Sequence, residues 1–577
     1  MKKTYVVTVF CLLVILSIIS CTKESFLDKT QSTTLNEQTV FADSAYVMNY
    51  LNSIYGNVGF SSSPSRYTCG LESACDESEP SVAGAGNTVI QFVSGTVSST
   101  IVAKDAWQNC YSQIRAVNML LKHLPTVPFS VDLKKRVKAE ARFLRAWYYF
   151  ILLEHYGGVP LVGDTLYTAS DNIPQIRDTY EKCVNYIVSE CDTAANYLPW
   201  VQSGLLYGRV SRGACKSLKA RLLLYAASPL FNGGSIDDSK RPELKSIVGY
   251  PTYDKERWKL AMDAAAEVIG SGAYSLNLDN TTAPGYGFYQ LFTLRKSSEL
   301  IFAQMSQDNR YLEDMWLPPS AMSTPVTFPY LELVNAFGMN NGLSITDDGS
   351  GYDPANPYKN RDPRFDYSII HDQTLVRSRP DIMLHPISTF IDATNPDKIV
   401  SGVDAIYKGT ATGYYPYKMV DQSVAPTWFG TTTRRCMPLF RYAEILLDYA
   451  EARNEYLSTP DQAVYDAVEA IRQRAGLNPY SLPEKLTQAQ MRQRIQDERR
   501  VELAFEGHRF WDVRRWKIAS QTDNAIMHGT ELTKTASGLT YKTIVVRKHN
   551  FADKMYLWPL PESEVSKNAQ LLQNPGY

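Results

Sequence analysis

The chain holds 577 residues with 59 basic and 60 acidic side chains, enough length to bury a large core without help from disulfides or metals. Its net charge of -1 excludes a nucleic-acid binder, which needs a basic face to displace counterions from phosphate, and it equally excludes an acidic or polybasic tail. A hydrophobic fraction of 44% with a mean hydropathy of -0.26 excludes a polytopic membrane protein. Tyrosine is the unusual residue, with 37 copies; its flat apolar face and polar tip suit both cores and wet binding surfaces.

Residues 1–20 read as a signal peptide. Lys2 and Lys3 form a positive start, and Tyr5 to Ile19 form an apolar run too short to span a membrane comfortably. The run ends Ile18-Ile19-Ser20-Cys21, which resembles a bacterial lipobox in which Cys21 is lipidated and becomes the mature N-terminus. An ordinary secretory signal with an incidental cysteine is the alternative. Residues 21–38 then form the anchor and a polar tether. Seven cysteines follow Cys21: Cys69, Cys75, Cys110, Cys183, Cys191, Cys215 and Cys436. An odd number cannot pair completely. Cys69 and Cys75 are the plausible partners by proximity, but buried free thiols are the expectation. With no CxxC and no HExxH, a zinc site is not expected.

Apolar residues at helical spacing predict helices near 41–56 and 105–124, then over 131–156 (Val137, Ala141, Leu144, Tyr148, Leu152), 176–198 and 211–228. Another lies at 254–270, stopped by Gly270. After a gap the pattern resumes at 440–457, 461–475 and 488–506, with Gly476 and Gly507 as stops. Long helices arriving in pairs suggest a mainly α fold, a tetratricopeptide-like scaffold that buries Trp107, Tyr111, Trp147 and Tyr225 between neighbours. No strict 34-residue period is visible. The expected organisation is an N-terminal helical region over 39–272 with a loop insertion at 59–100, a loop-rich ligand-binding region over 273–435 with short strands, and a C-terminal helical region over 436–577.

Several stretches resemble the SusD/RagB family of outer-membrane nutrient-binding lipoproteins. They include Phe440 to Glu455 (FRYAEILLDYAEARNE), Ile471 to Leu477, Glu498 to Trp516 (ERRVELAFEGHRFWDVRRW), Leu557-Trp-Pro-Leu-Pro561 and Gln573 to Tyr577. Gly208 to Arg212, Ala226 to Asn232 and Tyr358 to Phe365 (YKNRDPRF) match as well. The resemblance implies four tetratricopeptide-like helix pairs under a variable binding region. It also implies a partner, a SusC-like TonB-dependent transporter in the outer membrane, and it makes Lys23-Glu24 an export signal to the outer face. Calcium is left open by the family, but no cofactor is expected.

The Arg-rich run 492–516 carries its own acids, Glu498, Glu502, Glu506 and Asp512, so it reads as a salt-bridged scaffold face rather than a nucleic-acid site. Asp347 to Asp353 lacks the EF-hand register and reads as a turn-rich loop with capping carboxylates. Carboxylate pairs such as Glu313/Asp314 and Asp76/Glu77 could serve glycoside hydrolysis, yet a chain with 60 acids offers such pairs by chance, and no nucleophile elbow is evident; catalysis is not expected. The favoured reading is capture of oligosaccharide by loop aromatics, since pyranose rings stack on aromatic planes and their hydroxyls need polar side chains. The candidate ligand-binding residues are Arg66, Tyr67, Asp76, Tyr289, Tyr311 and Trp316, with Glu72, Tyr286, Asn309, Arg310, Tyr414 and Trp428 as further options. The alternatives are a peptide or another nutrient as ligand, or a structural lid on the transporter.

Overall fold

Polar side chains placed one residue ahead of each apolar stripe start most of the helices. The computed structural model describes residues 36–168, 171, 176–234, 236, 241–378, 383–395, 397–424 and 431–577. Cys21, Lys23-Glu24 and most of the expected tether lie outside these residues. The expected tether ends early, because Asn36 caps a helix over Glu37–Ala42. Asp43 accepts from the amides of Ala45 and Tyr46 to open α1 (Ser44–Tyr55). Next come α2 (Asp105–His123), α3 (Val131–Tyr156, capped by Ser130), α4 (Tyr180–Ala195, capped by Thr179) and α5 (Arg212–Ala227, capped by Ser211). The Thr179 cap starts α4 four residues later than the periodicity suggested, leaving Ile176 outside it and exposed. Helix α6 covers Glu256–Gly270. After the central region come α7 (Tyr442–Tyr456), α8 (Gln462–Arg474) and α9 (Gln488–Glu502); α9 opens with a Thr487/Gln490 capping box.

Neighbouring helices stack in order. α2 packs on α3, α3 on α4, α4 on α5, α5 on α6, α6 on α7, and both α8 and α9 lie against α7. Four helix pairs follow from this order: α2/α3, α4/α5, α6/α7 and α8/α9. The third pair is split by 171 residues of intervening chain between Gly270 and Tyr442, which is why the sequence shows no regular period. A strand at each edge of that insertion closes the gap: β1 (Leu300–Met305) pairs antiparallel with β2 (Cys436–Arg441), which runs straight into α7.

The main core lies between the helices and buries Trp107, Trp147 and Tyr225; Tyr111 is half-buried, its hydroxyl donating to the carbonyl of Pro160 at 2.9 Å. A second core holds the central region together, with Phe288, Trp316, Phe365 and Tyr415 packed against Phe505 and Val501 of the C-terminal part. A hairpin of β3 (Ile526–Thr535) and β4 (Gly538–Lys548) lies where helices were expected, turning through Ala536 and Ser537. β3 also pairs in parallel with Ile391–Asp392, tying the central region to the C-terminal one. All seven described cysteines are free and buried.

The run 492–516 forms the expected salt-bridged face, with Gln493 and Asp497 exposed and most of Glu498–Trp516 buried. α9 stops at Glu502, short of Gly507, because Phe505 takes a left-handed φ of 60°. Glu502 then receives Arg441 Nη1 at 2.6 Å and Arg364 Nη1 at 2.9 Å, and pairs with Arg474. Glu506 receives Arg441 and Lys418, each at 2.7 Å. Arg499 bridges Asp448 and Asp512, and Arg515 bridges Glu451 and Asp512. The i,i+4 pair expected between Arg494 and Glu498 does not form: Arg494 faces Asp347, and Glu498 is taken by Arg364 of the central region. These acids and bases join elements far apart in sequence.

Candidate functional site

The expected residues of loop 59–100 turn out to be structural. Arg66 is buried, and its guanidinium donates to Asp105 at 3.0 and 3.3 Å and to the carbonyl of Ser61 at 3.0 Å. Tyr67 takes a left-handed φ of 57° and donates its hydroxyl to the same Asp105 at 2.6 Å, its ring 4.8 Å beneath the Arg66 guanidinium. Loop and α2 are thus latched through the first residue of the helix. Asp76 is buried, with Arg509 in a bidentate pair at 2.8 and 2.7 Å and Arg500 at 2.9 Å. Burial alone would raise its pKa, but Arg500 and Arg509 hold the carboxyl well below the usual range. Neither Arg66 nor Asp76 can face a ligand, which corrects that expectation.

The acid pairs considered for hydrolysis are likewise consumed. Glu313 is fully buried against Arg435 and accepts from the amide of Asp421 at 3.0 Å, while Asp314 pairs with Arg310 at 2.8 Å. Glu77 is buried and accepts from the Phe505 amide at 2.8 Å, with burial pushing its pKa up to about 7. Buried Glu72 is raised well above the carboxylate range by desolvation, and its Oε1 has no partner among the described residues. In the Asp347–Asp353 loop, Asp347 accepts from the Ser344 amide and Asp353 from the Ala355 amide, both at 2.9 Å, the capping roles expected of them. Among the described residues no three His, Cys, Asp or Glu side chains converge as metal ligands.

Trp316 is 1% exposed and packs against Phe505 with ring centroids 5.7 Å apart. It fills the second core and has no face for a sugar, another correction. Tyr414 is buried as well, its hydroxyl on Thr530 at 2.8 Å. Tyr311, on the same short helix as Trp316, is half-buried, and burial pushes its hydroxyl up to about 12. Trp428 lies outside the described residues.

Tyr289 is not sealed in the core in this way. It sits on the helix Tyr286–Thr293, whose other side inserts Phe288, Leu291 and Phe292 into the second core. That anchoring leaves Tyr286 and Tyr289 half-buried, with ring centroids 5.7 Å apart. Tyr367, which follows the YKNRDPRF stretch by two residues, stacks on Tyr289 at 5.5 Å and 20°. The Tyr289 hydroxyl accepts from the Gln422 amide at 3.1 Å, so the ring is fixed in orientation. Next to the rings in sequence are Gln290, whose amide oxygen accepts from Asn277 at 3.0 Å, and the exposed Asp366; Arg377 donates to the carbonyl of Gln422, the residue whose amide holds Tyr289, at 2.9 Å. Burial raises the Tyr289 hydroxyl to about 12 and the Tyr367 hydroxyl above its ordinary value. The phenols are therefore neutral at physiological pH. Sequence reasoning did not single out Tyr367, because only the fold brings residues 289 and 367 together.

A tetratricopeptide-like stack that presents oriented ring faces from a loop-rich region defines a class of helical-repeat binding scaffold. A family model described as the SusD family matches residues 298–577, and one described as starch-binding associating with outer membrane matches residues 25–224. SusD-like protein P2 of Formosa agariphila is 24% identical over 516 residues, 87% of this chain and 86% of that protein. The crystal structure of a SusD-like protein from Bacteroides fragilis superposes with a TM-score of 0.76 at 25% identity, covering 93% of this chain and 98% of that one. A SusD-like carbohydrate binding protein from the same species shares the fold, with a TM-score of 0.73 at 22% identity over 92% of this chain and all of that one. The chain belongs to the SusD/RagB family. No helix among the described residues is long and apolar enough to cross a membrane.

Proposed function

We propose that this protein is a non-catalytic, lipid-anchored surface lipoprotein that captures oligosaccharide on the Tyr286/Tyr289/Tyr367 rings and delivers it to a SusC-like TonB-dependent transporter in the outer membrane. The observation that carries the reading is the fixed, half-buried pair of stacked rings in the loop-rich region of a SusD/RagB fold. Such rings offer apolar planes to the C–H faces of a pyranose, and the Asn, Gln, Asp and Arg groups beside them suit its hydroxyls. Of the acid pairs considered for hydrolysis, Glu313, Asp76 and Glu77 are buried against arginines or a backbone amide and Asp314 is paired with Arg310, which supports binding without turnover. Cys21 would carry the lipid, and the outward-facing position follows from the family resemblance.

Calorimetry against a panel of oligosaccharides tests this reading. We expect one glycan to bind and Tyr289→Ala with Tyr367→Ala to weaken it about tenfold or more, a loss of about 1.4 kcal/mol. Binding of peptides but no carbohydrate would move the reading to peptide capture. Unchanged uptake and complex formation in the double variant would favour a structural lid.

A further inference from the structure

A second set of tyrosines lies away from the stacked trio, where the 352–361 segment meets the C-terminal hairpin. The two enclose a cleft of about 170 Å³ walled by Tyr352, Tyr358 and Tyr541. All three rings are half-buried. Tyr358 is held by a stack on His371 at 4.2 Å and 24°, and Tyr541 stands edge-on to it at 5.9 Å and 80°. Tyr352, Tyr541, Thr543 and Asn335 line the same cleft, and their side-chain hydroxyls and amide make no hydrogen bond with another described residue. Ring planes with uncommitted hydroxyls and an amide between them match the alternating apolar and polar surface of a sugar.

The charge around the cleft narrows the ligand. None of its lining residues is an acid, and the ionic side chain among them is Arg361. Arg361 is 5% exposed and spends its donors on backbone carbonyls: Val334 at 2.6 Å, Phe337 at 2.5 Å, Pro357 at 2.8 Å and Gly338 at 3.2 Å. Arg361 forms no salt bridge with a carboxylate among the described residues; the neighbouring acids are engaged elsewhere, Asp362 with Arg364, and Asp372, whose charge reaches Tyr358 and Tyr541, with the Thr389 amide and Gln373. Asp353, beside Tyr352, is turned onto Asn356 and the Ala355 amide, and the exposed Lys542 beside Tyr541 faces Glu531 at 3.8 Å. A positive potential in a partly desolvated cleft favours an anion over a neutral or cationic group.

We propose that this cleft is a second carbohydrate subsite, suited to a sugar ring that carries a carboxylate or sulfate. It rests on the glycan-capture reading but is independent of the Tyr289 patch. Calorimetry on the chain from residue 22 onward, with an oligogalacturonate, a sulfated galactan oligosaccharide and a neutral oligosaccharide of equal length, tests it. One of the acidic glycans should bind at least about tenfold more tightly than the neutral one and weaken as NaCl rises from roughly 0.05 to 0.5 M; the arm that binds tells carboxylate from sulfate. Tyr541→Ala should weaken that binding about tenfold and Asn335→Ala, at an exposed position, several-fold, with Asp263→Ala, an exposed scaffold position outside both tyrosine sets, within about twofold of the parent. Equal affinity for neutral and acidic glycans overturns the proposal. So does indifference to Tyr541→Ala and Asn335→Ala, or a polyglutamate peptide that binds as tightly as the acidic glycan. If neutral glycans bind through Tyr289 and acidic ones do not bind, this inference fails alone; if no glycan binds, the capture reading fails with it.

Discussion

Replacing Glu502 should unfold this protein more readily than any surface change of equal size. Its carboxylate is fully buried and meets three guanidinium groups, from Arg364, Arg441 and Arg474. The cluster around it sets five cations (Arg364, Lys418, Arg441, Arg472, Arg474) against five acids (Glu299, Asp362, Glu498, Glu502, Glu506). Glu502→Ala removes one acid and leaves a surplus positive charge out of water. Three charge-assisted hydrogen bonds at about 1.5–3 kcal/mol each would set an upper limit. Arg441 and Arg474 keep Glu299, and Arg364 keeps Glu498 and Asp362, so the loss should fall to about 3–5 kcal/mol, the range for breaking a buried pair. That is a large part of the ~5–15 kcal/mol that stabilises a typical domain. Urea denaturation followed by tryptophan fluorescence and by circular dichroism reads it, with Asp263→Ala, which breaks the exposed pair to Lys259, as a control expected to leave the midpoint nearly unchanged. The arginines also hold the Glu502 pKa far below its ordinary value despite burial. Its stabilisation is therefore full above the unfolded value of about 4.3 and is lost as pH falls toward the folded value; Glu502→Gln should flatten that acid limb. A midpoint for Glu502→Ala no lower than that of the Asp263 control would refute the reasoning.

Two further outcomes separate structure from binding. Trp316→Ala should destabilise the protein by about 3–5 kcal/mol through the cavity it leaves while glycan affinity, measured below the unfolding midpoint, stays unchanged; lost affinity at unchanged stability would return Trp316 to the site. Glu154 is buried and burial pushes its pKa up to about 8, against the opposing pull of Arg221 and Arg66, so wild-type stability should fall as pH rises from about 4.3, by up to about 1.4 kcal/mol per unit. Glu154→Gln should escape that loss, its advantage over wild type growing between about pH 5 and 8; a constant difference across that range would show that Glu154 does not titrate there.

The helical scaffold was legible because a buried helix face repeats every three to four residues, a distance a local reading can see. Val137, Ala141, Leu144 and Tyr148 announced α3, and the structure buries all four. The hairpin at 526–548 was missed although Ser537-Gly538 is a turn signal: β4 is exposed along most of its length, so its residues carry no clean alternation. The shortened α9 depends on Phe505 turning left-handed while its amide meets Glu77, over 400 residues earlier in the chain.

The amino-acid sequence by itself carried the family resemblance and the helix positions, and it placed many of the aromatics in long loops. Tertiary structure alone decided which aromatics face water. Trp316 and Tyr289 lie in the same central region, yet one is sealed by Phe505 and the other is stacked open beside Tyr367. It also decided that the Arg-rich run faces inward, because its partners sit on elements up to several hundred residues distant. Exposure is a property of what packs on a side chain, and for these residues those neighbours are brought by the fold rather than by adjacency along the chain.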